Sequence, residues 1–548
     1  MSAPVIPRTE SAYAYPLLIK NLLQTPLVTN PEQEIVYRDL LRYDYRTLHQ
    51  RICRLAHALK KLGVKPGDTV AVMDYDSHRY LECFFAVPMI GAVLHTVNIR
   101  LSPDQILFTI DHAEDDVLLI HSDFLPILEQ IKGRIDTVKN FVLLQDGAET
   151  PASQVAFAGE YENLLQACPT HYDFPDFDEN TRATTFYTTG TTGLPKGVYF
   201  SHRQLVLHTF GVLAAIGTPA SQGRFHQQDV YMPITPMFHV HAWGLPYVAT
   251  ALGVKQVYPG RYVPDHLLEL IDRERVTFSH CVPTILHMLL KSPLIDQIDL
   301  SHWKVVIGGA ALPKSLCLAA MAKGIDLFTG YGMSETCPIL TISHLTPEML
   351  ELPAEQQAEV RCKTGRPMPL VDIRLVDDQM RDVPADSASG GEIVVRAPWL
   401  TQGYLKDHKN SEHLWRGGYL HTGDVAVRDA RGYLKITDRT KDVIKSGGEW
   451  ISSLEIEDII AHHPAVSEVA VIGQPDDKWG ERPLALVVLK PEAEGKTSEK
   501  ELVAHARNYA DTGMLSKTIV LLRVRFVDAI DKTSVGKISK TTLREKYL

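Results

Sequence analysis

The chain alternates between hydrophobic patterns typical of helices and patterns typical of strands. After Thr47, apolar residues recur at steps of three and four, which places them on one helical face: Leu48, Ile52, Leu55, Leu59 and Leu62. Thr47 and Gln50 have the spacing of a capping box, so we predict that this helix begins at Thr47. Gly63 and Pro66 predict its end, and residues 69–73 then predict a buried strand.

The same alternation returns in the middle of the chain. Residues 305–307 and 325–328 predict strands, and residues 313–323 predict a helix between them. Alternating strands and helices predict an α/β fold with a mostly parallel sheet. Ligands bind such sheets beyond the carboxyl ends of the strands, which is where the glycine turns at 308–309 and 330–332 fall.

The pattern changes after about residue 360. Short strands joined by Asp/Gly turns, at 373–376, 392–395 and 425–427, predict a β-rich subdomain over about 370–440. A charged run precedes a smaller region with both helices and strands. We therefore expect a large N-terminal domain of mixed α/β subdomains over 1–440 and a small, mobile C-terminal α+β lid domain over 441–548.

Composition narrows the class of protein. The 548 residues are 45% hydrophobic and 22% charged, which is typical of globular proteins. The net charge of −10 argues against a nucleic-acid partner, which would need a basic face. Seven cysteines without a CxxC pair disfavour a disulfide framework or a thiolate zinc site and suit a reducing compartment. With no apolar run long enough to span a bilayer and no signal-peptide pattern, we expect a cytoplasmic protein.

Residues 187–198, YTTGTTGLPKGV, form the strongest local motif. Glycines and small hydroxyl residues let backbone N–H groups wrap an anion closely, and Lys196 adds a positive charge. Taken alone, such a segment is a flexible linker or turn as often as it is an anion-binding loop. It is not a Walker A loop, because Pro195 stands where that motif needs glycine and Gly197 replaces the metal-binding hydroxyl. No GxGxxG follows a strand, which disfavours a dinucleotide oxidoreductase.

This segment resembles the phosphate loop of the adenylate-forming (AMP-binding) superfamily, which includes acyl-CoA synthetases, peptide-synthetase adenylation domains and beetle luciferases. The family's other motifs follow in order over residues 187–537: Pro236-Met-Phe-His239, Gly308-Gly-Ala310, Tyr331-Gly-Met-Ser-Glu335, Thr422-Gly-Asp424, Asp438-Arg439 with Lys441, and Ser534-Val-Gly-Lys537. The resemblance covers essentially the whole chain. The segment SGGEWISS at 446–453 resembles the medium- and long-chain fatty-acyl-CoA synthetase branch more than it resembles peptide-synthetase domains.

The resemblance implies a nucleotide site, and its ATP- and AMP-binding residues are Thr188, Thr189, Gly190, Thr191, Thr192, Gly193, Lys196, Gly309, Ala310, Tyr331, Gly332, Ser334, Asp424 and Arg439. Glu335 would hold Mg²⁺, which neutralises the triphosphate and the leaving pyrophosphate. Asp424 could accept both ribose hydroxyls, and Arg439 offers planar donors to ribose or phosphate. Without the resemblance, these charged residues would be interpreted as parts of solvated turns.

The resemblance also implies the catalytic set Lys537, Glu335, Lys196 and His239. In the family, the C-terminal lysine bridges the carboxylate and the α-phosphate and so stabilises charge that develops in the transition state. Two departures stand out here: Ser534-Val535 replaces a proline-containing turn of many relatives, and Ser334 replaces the usual threonine but keeps its hydroxyl.

For the acyl and CoA groups, the resemblance implies His239, Trp243, Gly447, Gly448 and Trp450, with Lys441 as the hinge of the small domain. A zinc site is the alternative at the histidines, because His239 and His241 would share one face of an extended segment. No third ligand at suitable spacing accompanies them.

The implied reaction is a two-step ligation that uses ATP, Mg²⁺ and coenzyme A. A carboxylic acid and ATP give an acyl-adenylate and pyrophosphate, and the CoA thiol then displaces AMP. Apolar residues flank the motifs and predict a hydrophobic acid, most simply a medium- or long-chain fatty acid: Phe238, Val240, Trp243, Leu245, Pro338, Ile339 and Leu340.

Several alternatives stay open at this point. The acid could be a small thioether, branched or aromatic acid, and the acceptor could be a carrier-protein arm instead of CoA. An oxygenase of the luciferase type would share the motifs, and a nucleotide sensor without activity would keep part of them. We also expect a homodimer and, for a fatty-acid substrate, transient contact with a membrane surface.

Overall fold

The computed structural model of the protein describes residues 5–147, 152–188, 194–219, 222–446, 449–511, 521–532 and 538–548. At residues 445, 446, 449, 450 and 509–511 it describes the backbone only. The fold is mixed α/β, as predicted, with a large N-terminal domain and a smaller C-terminal domain.

The strands follow the chain in three groups. Those of the large α/β part are β1 (Glu34–Tyr37), β2 (Leu41–Asp44), β3 (Thr69–Met73), β4 (Val93–Thr96), β5 (Asp115–His121), β6 (Asn140–Leu144), β7 (Phe157–Glu160), β8 (Arg182–Thr188), β9 (Lys196–Ser201), β10 (Val230–Ile234), β11 (Lys255–Tyr258), β12 (Phe278–Cys281), β13 (Lys304–Ile307), β14 (Asp326–Gly332), β15 (Ile339–Ile342) and β16 (Arg366–Pro367). The next four are β17 (Asp372–Val376), β18 (Gly391–Arg396), β19 (Leu420–Arg428) and β20 (Leu434–Arg439). The last are β21 (Ile444–Ser446), β22 (Glu449–Ile451), β23 (Val466–Asp476), β24 (Gly480–Leu489) and β25 (Arg523–Phe526).

Helices alternate with these strands. Their bounds are Gln24–Thr29, Tyr45–Lys61, His78–Met89, Pro103–Ala113, Leu125–Ile131, Tyr161–Gln166, His202–Gly217, Leu245–Leu252, Pro264–Glu274, Pro283–Leu290, Lys314–Met321, Pro347–Leu350, Ala354–Arg361, His408–Leu414, Ser453–Ala461, Glu499–Asp511 and Lys540–Tyr547. Within the described ranges, none of these helices combines the length and the apolar character that crossing a membrane requires.

Among the described residues the strands form four sheets. A nine-stranded sheet has the order β16-β15-β14-β13-β12-β10-β11-β1-β2, and a seven-stranded sheet has the order β7-β6-β5-β3-β4-β8-β9. Both are mostly parallel, which confirms the prediction of a mostly parallel sheet. The antiparallel sheet β17-β18-β19-β20 lies where the β-rich subdomain was predicted.

The first predicted helix buries the face that its spacing predicts, but it begins two residues earlier than predicted. Leu48, Ile52, Leu55 and Leu59 are all buried, as their spacing predicts. The helix begins at Tyr45, however, because the Asp44 carboxylate accepts the hydrogen bond from the Thr47 backbone N–H and so caps it. Thr47 therefore lies in the first turn of the helix. The predicted Thr47–Gln50 capping box is wrong, because Asp44 is the N-cap residue.

The C-terminal part of the chain has hydrophobic cores of its own. One joins the helix Ser453–Ala461 to the β23–β24 pair and β25, and it is made of residues between Ile444 and Val524. A second core packs the final helix against the opposite side of the same sheet, from Ala470 to Leu543. Since separate cores are typical of separate folding units, this part has the anatomy of a domain.

Candidate active site

Parallel strands bring three of the sequence motifs to one edge of the nine-stranded sheet. β12 separates β10 from β13, and β13 neighbours β14. Because these strands run in the same direction, their carboxyl ends meet at the same edge. His239 follows β10, Gly309 follows β13, and Glu335 follows β14. Three motifs that are far apart in sequence are thus neighbours in the fold.

The candidate phosphate loop connects two antiparallel strands of the seven-stranded sheet. Thr188, the last residue of β8, pairs with Lys196, the first residue of β9. Of the predicted loop residues, Thr189, Gly190, Thr191, Thr192 and Gly193 lie outside the described residues. The strand pairing fixes the two ends of the loop and sets Lys196 at its C-terminal end.

Glu335 is a buried carboxylate with a specific partner. The residue is only 7% exposed, and its Oε1 accepts a hydrogen bond of 2.7 Å from the hydroxyl of Tyr404. Burial raises the pKa of the Glu335 carboxyl, while the Tyr404 hydrogen bond and the charges of Arg439 and Lys196 act against that rise. Two cations are therefore close enough to act electrostatically on Glu335.

The Tyr404 ring also lies beneath the Lys196 ammonium. The Nζ of Lys196 is 4.8 Å from the ring centroid, a cation–π distance. Lys196, Tyr404 and Glu335 thus form a contact chain between β9 and the turn after β14. Sequence reasoning missed Tyr404, and its only signal was an aromatic residue after Gly403 in a turn-rich stretch.

A second contact chain joins Tyr331, Asp424 and Arg439. The Tyr331 hydroxyl donates a hydrogen bond of 2.7 Å to Oδ2 of Asp424, and Nε of Arg439 lies 3.1 Å from Oδ1. Asp424 is buried, and its negative charge is the main reason that the pKa of Arg439 is raised. The three residues come from β14, β19 and β20, so this chain connects the nine-stranded sheet to the antiparallel sheet.

Two glycines of the motifs are required by close approach of the backbone. A Cβ on Gly332 would stand 1.7 Å from the carbonyl oxygen of Pro338, which no side chain could tolerate. A Cβ on Gly308 would be 2.8 Å from the Gly330 carbonyl and 3.0 Å from Cη2 of Trp243. Gly332 therefore lets the Pro338 carbonyl pack directly against it, and Gly308 does the same for the Gly330 carbonyl and the Trp243 ring.

Trp243 is carried by a left-handed turn. All four residues of Val240–Trp243 have φ between 47° and 59°, a conformation that costs non-glycine residues about 1–2 kcal/mol each. Trp243 is buried, and its ring centroid is 5.1 Å from that of His280 on β12. His239 is half-buried and precedes this turn.

The turn separates the two histidines that suggested zinc. His241 is fully buried among Phe84, Phe186, Phe200 and Tyr247, with ring centroids 5.3–6.5 Å away. Burial lowers its pKa to about 3, so the ring is neutral near pH 7. The extended geometry needed for a shared face is absent at these described residues. In the part of the chain that the structure describes, no three His, Cys, Asp or Glu side chains cluster as metal ligands would.

The candidate residues of the C-terminal domain are only partly described. Lys441 lies between the end of β20 and the start of β21, where the chain passes from the antiparallel sheet β17-β18-β19-β20 to the five-stranded sheet formed by β21 to β25. Trp450 lies on β22, whose backbone pairs with β21. Gly447, Gly448, Lys537 and the Ser534-Val535 turn lie outside the described residues.

The chain is similar to known proteins over most of its length. Residues 23–405 match the family model "AMP-binding enzyme" and residues 455–537 match "AMP-binding enzyme C-terminal domain". A long-chain-fatty-acid–CoA ligase of Thermus thermophilus is 40% identical over 94% of this chain and 93% of its own. A 3-methylmercaptopropionyl-CoA ligase of Ruegeria lacuscaerulensis is 39% identical over 97% of each chain.

A solved structure shows the same fold. The anthranilate CoA ligase AuaEII in complex with anthranoyl-AMP aligns with a TM-score of 0.82 and 25% identity, over 97% of this chain and 98% of that one. The fold and the arranged motifs define an acyl-adenylate-forming enzyme. The chain belongs to the AMP-binding enzyme family, as the motif order predicted.

Proposed function

We propose that this protein ligates a hydrophobic carboxylic acid to coenzyme A through an acyl-adenylate, with release of pyrophosphate and then AMP. The observation that carries the proposal is the pair of contact chains, Lys196–Tyr404–Glu335 and Tyr331–Asp424–Arg439. Together they bring a lysine and two buried carboxylates around one sheet edge, and we assign phosphate binding to Lys196, metal binding to Glu335 and ribose binding to Asp424.

In the first step, the acid's carboxylate attacks the α-phosphate of ATP. Residues 189–193 and Lys196 bind the phosphates, with the Ser334 hydroxyl as an additional donor. Asp424 accepts the ribose hydroxyls, Arg439 donates to ribose or phosphate, and the backbone of Gly309 and Ala310 with Tyr331 and Gly332 lies against adenine. Lys537 stabilises the charge that develops between the two anions, and His239 lines the site of the acid's carboxylate.

The residues present fit a magnesium ion. Mg²⁺ takes one or two carboxylates from the protein and completes its oxygen ligands with phosphates and water. Glu335 supplies such a carboxylate, buried and within electrostatic reach of Lys196. When bound, Mg²⁺ would neutralise the triphosphate and the leaving pyrophosphate.

In the second step, the CoA thiol attacks the acyl carbonyl and AMP leaves. The small domain, residues 441–548, rotates about Lys441 relative to residues 1–440. The rotation exchanges Lys537 for the face formed by Gly447, Gly448 and Trp450, where two glycines let the backbone approach the narrow pantetheine arm. The separate cores of the C-terminal part support a boundary near 440.

The acyl group is hydrophobic. The side chains that flank the motifs are apolar and buried, Phe238, Val240, Trp243, Leu245, Ile339 and Leu340 among them. The two relatives named above act on a long-chain fatty acid and on a thioether acid, so both classes belong in the test. A medium- or long-chain fatty acid remains the first choice, and the thioether acid is the second.

A panel of acids tests the proposal. The purified protein is incubated with ATP, Mg²⁺, CoA and one acid at a time: saturated fatty acids of graded length, 3-methylmercaptopropionate, and branched and aromatic acids. Mass spectrometry then detects the thioester. A fatty acyl-CoA product supports the proposal, whereas acid-dependent ATP–pyrophosphate exchange without any thioester would identify an enzyme that loads another acceptor.

Two further parts of the proposal concern the cellular compartment and the oligomeric state. All seven cysteines are free thiols, which suits the reducing cytoplasm. A homodimer remains a prediction, and sedimentation equilibrium of the purified chain would check it.

A further inference from the structure

Tyr404 contacts both charged groups of the first contact chain. Its hydroxyl donates to Oε1 of Glu335 at 2.7 Å, and its ring lies 4.8 Å from Nζ of Lys196. Glu335 and Lys196 carry opposite charges and interact electrostatically. Both belong to the described part of the chain, and within it they form no ion pair with each other at 4.0 Å or less. The tyrosine is their shared neighbour.

The segment that carries Tyr404 is bound on both sides. Towards Glu335, the Thr401 backbone N–H donates to the Glu335 carbonyl oxygen at 2.9 Å. Towards β9, the Leu405 N–H donates to the Gly197 carbonyl oxygen at 2.8 Å, and Tyr404 pairs with Val198. The Thr401 hydroxyl also donates to the Tyr199 carbonyl oxygen at 3.0 Å. Residues 401–405 therefore fix the turn after β14 relative to the strand that begins with Lys196.

This arrangement separates two groups that would otherwise attract each other. A carboxylate and an ammonium at contact distance would neutralise each other and offer less charge to a ligand. The Tyr404 hydroxyl instead donates a hydrogen bond to one oxygen of the buried Glu335 carboxylate. This bond offsets part of the free-energy cost of burying a charged group without a partner. The ring meanwhile holds the ammonium at a cation–π distance. Both charges therefore stay available to a ligand.

We propose that Tyr404 is a positioning residue that holds Glu335 and Lys196 apart, so that the carboxylate can meet a metal ion and the ammonium can meet the phosphates of the same nucleotide. The inference rests on the proposed function, because it assigns those two roles to Glu335 and Lys196. Tyr404 itself need not touch the nucleotide. Its contribution is to the binding of the metal–nucleotide complex, and it has no part in the thioester step.

Two variants separate the parts of this role. Tyr404→Phe removes the hydroxyl and keeps the ring, and Tyr404→Leu removes both. The matched control is Tyr419→Phe, because Tyr419 also donates from its hydroxyl to a carboxylate, that of Asp372, at 3.1 Å. Calorimetry measures the affinity for ATP with and without Mg²⁺. ATP–pyrophosphate exchange gives the KM for MgATP and the KM for the acid, and a separate assay with CoA gives the rate of thioester formation from supplied acyl-adenylate.

We expect Tyr404→Phe to lose about tenfold or more in affinity for ATP with Mg²⁺, the size of a lost hydrogen bond to a charged group. Affinity for ATP without Mg²⁺, the KM for the acid and the rate from supplied acyl-adenylate stay within twofold of wild type. Tyr404→Leu weakens binding further and also lowers affinity without Mg²⁺, because Lys196 then pairs with Glu335. Tyr419→Phe behaves as wild type.

Other results would overturn the inference. Equal losses in the two ATP affinities, both KM values and the rate from supplied acyl-adenylate would mean that Tyr404 acts only through folding. Unchanged affinity for ATP with Mg²⁺ would remove its role altogether. Failure of the proposed function is distinguishable, because wild-type protein would then show no acid-dependent exchange, whereas calorimetry of ATP binding would still report on Tyr404.

Discussion

Asp424 and Arg439 face each other across the antiparallel strands β19 and β20, and Nε of Arg439 lies 3.1 Å from Oδ1 of Asp424. Tyr331 donates to the other oxygen of the same carboxylate at 2.7 Å. The carboxylate is thus oriented from two sides by the protein's own side chains. Since an ionised carboxylate has about four acceptor positions, two contacts leave room for ribose hydroxyls.

Asp424→Asn tests this relationship. The amide keeps the size of the side chain but loses the charge that orients Arg439 and accepts from ribose. We expect the KM for ATP in pyrophosphate exchange to rise about 10- to 100-fold, which corresponds to one or two lost hydrogen bonds to a charged group. Asp378→Asn, at an exposed carboxylate, is the control. A KM within twofold of wild type would remove Asp424 from the nucleotide site.

Lys537→Ala tests the division of labour between the two steps. Loss of the lysine removes charge stabilisation at the α-phosphate, so adenylation should fall by at least about 100-fold. Thioester formation from supplied acyl-adenylate should stay near the wild-type rate, since that step uses the other face of the small domain. Lys500→Ala, at an exposed lysine, is the control. Equal loss in both half-reactions, or intact adenylation, contradicts the assignment.

Much of the fold followed from local patterns, because burial imposes them directly. The spacing of Leu48, Ile52, Leu55 and Leu59 predicted a helical face that is buried. Strands predicted near 305, 325, 373, 392 and 425 are all present. The start of the first helix was wrong because the choice between Asp44 and Thr47 as the cap depends on backbone angles, which spacing does not encode.

The site was predictable where a motif concentrates charge or glycine, and not where tertiary contacts create the role. Tyr331, Asp424 and Arg439 were predicted as nucleotide ligands, and the fold brings them together. Tyr404 was missed because its two contacts depend on how residues 401–405 pack between separate parts of the chain. The left-handed turn before Gly244 was also unpredictable, because four non-glycine residues rarely adopt it.

Trp243→Ala tests the acyl site. The ring packs on Gly308 and His280, so its removal should open space beside the glycine turn. We expect the ratio of kcat/KM for long acids over short acids to rise about tenfold, given roughly 1–3 kcal/mol for each methylene accommodated. Trp303→Phe, in the core on the other side of the sheet, should lower stability without changing that ratio. An unchanged ratio in Trp243→Ala would place the acyl group elsewhere.

The buried carboxyl of Asp76 should make the free energy of unfolding depend on pH. It is buried, accepts from the Tyr262 hydroxyl and the Met237 N–H, and burial raises its pKa to about 7. The folded state therefore binds a proton that the unfolded state, with an aspartate pKa of about 3.9, releases at lower pH. Between pH 4 and 7 this group makes the protein less stable as pH rises.

Asp76→Asn removes that pH dependence while it keeps the side chain's shape. Buried histidines such as His208 and His280, whose pKa burial lowers to about 3, act in the opposite direction in both proteins. The difference between the thermal unfolding midpoints of the two proteins, measured from pH 5 to pH 8, isolates Asp76. The wild-type midpoint should fall relative to the variant as pH rises. A constant difference would show that Asp76 does not titrate in this range.

The central claim is that a carboxylate of the substrate attacks the α-phosphate of ATP at this site, and oxygen transfer tests it most directly. The acid that gives the best thioester yield is supplied with ¹⁸O in both carboxylate positions, together with ATP, Mg²⁺ and CoA. If an acyl-adenylate forms and CoA displaces AMP, mass spectrometry will find one ¹⁸O atom in the AMP and one in the thioester carbonyl. AMP without ¹⁸O, formed together with thioester, would contradict the account.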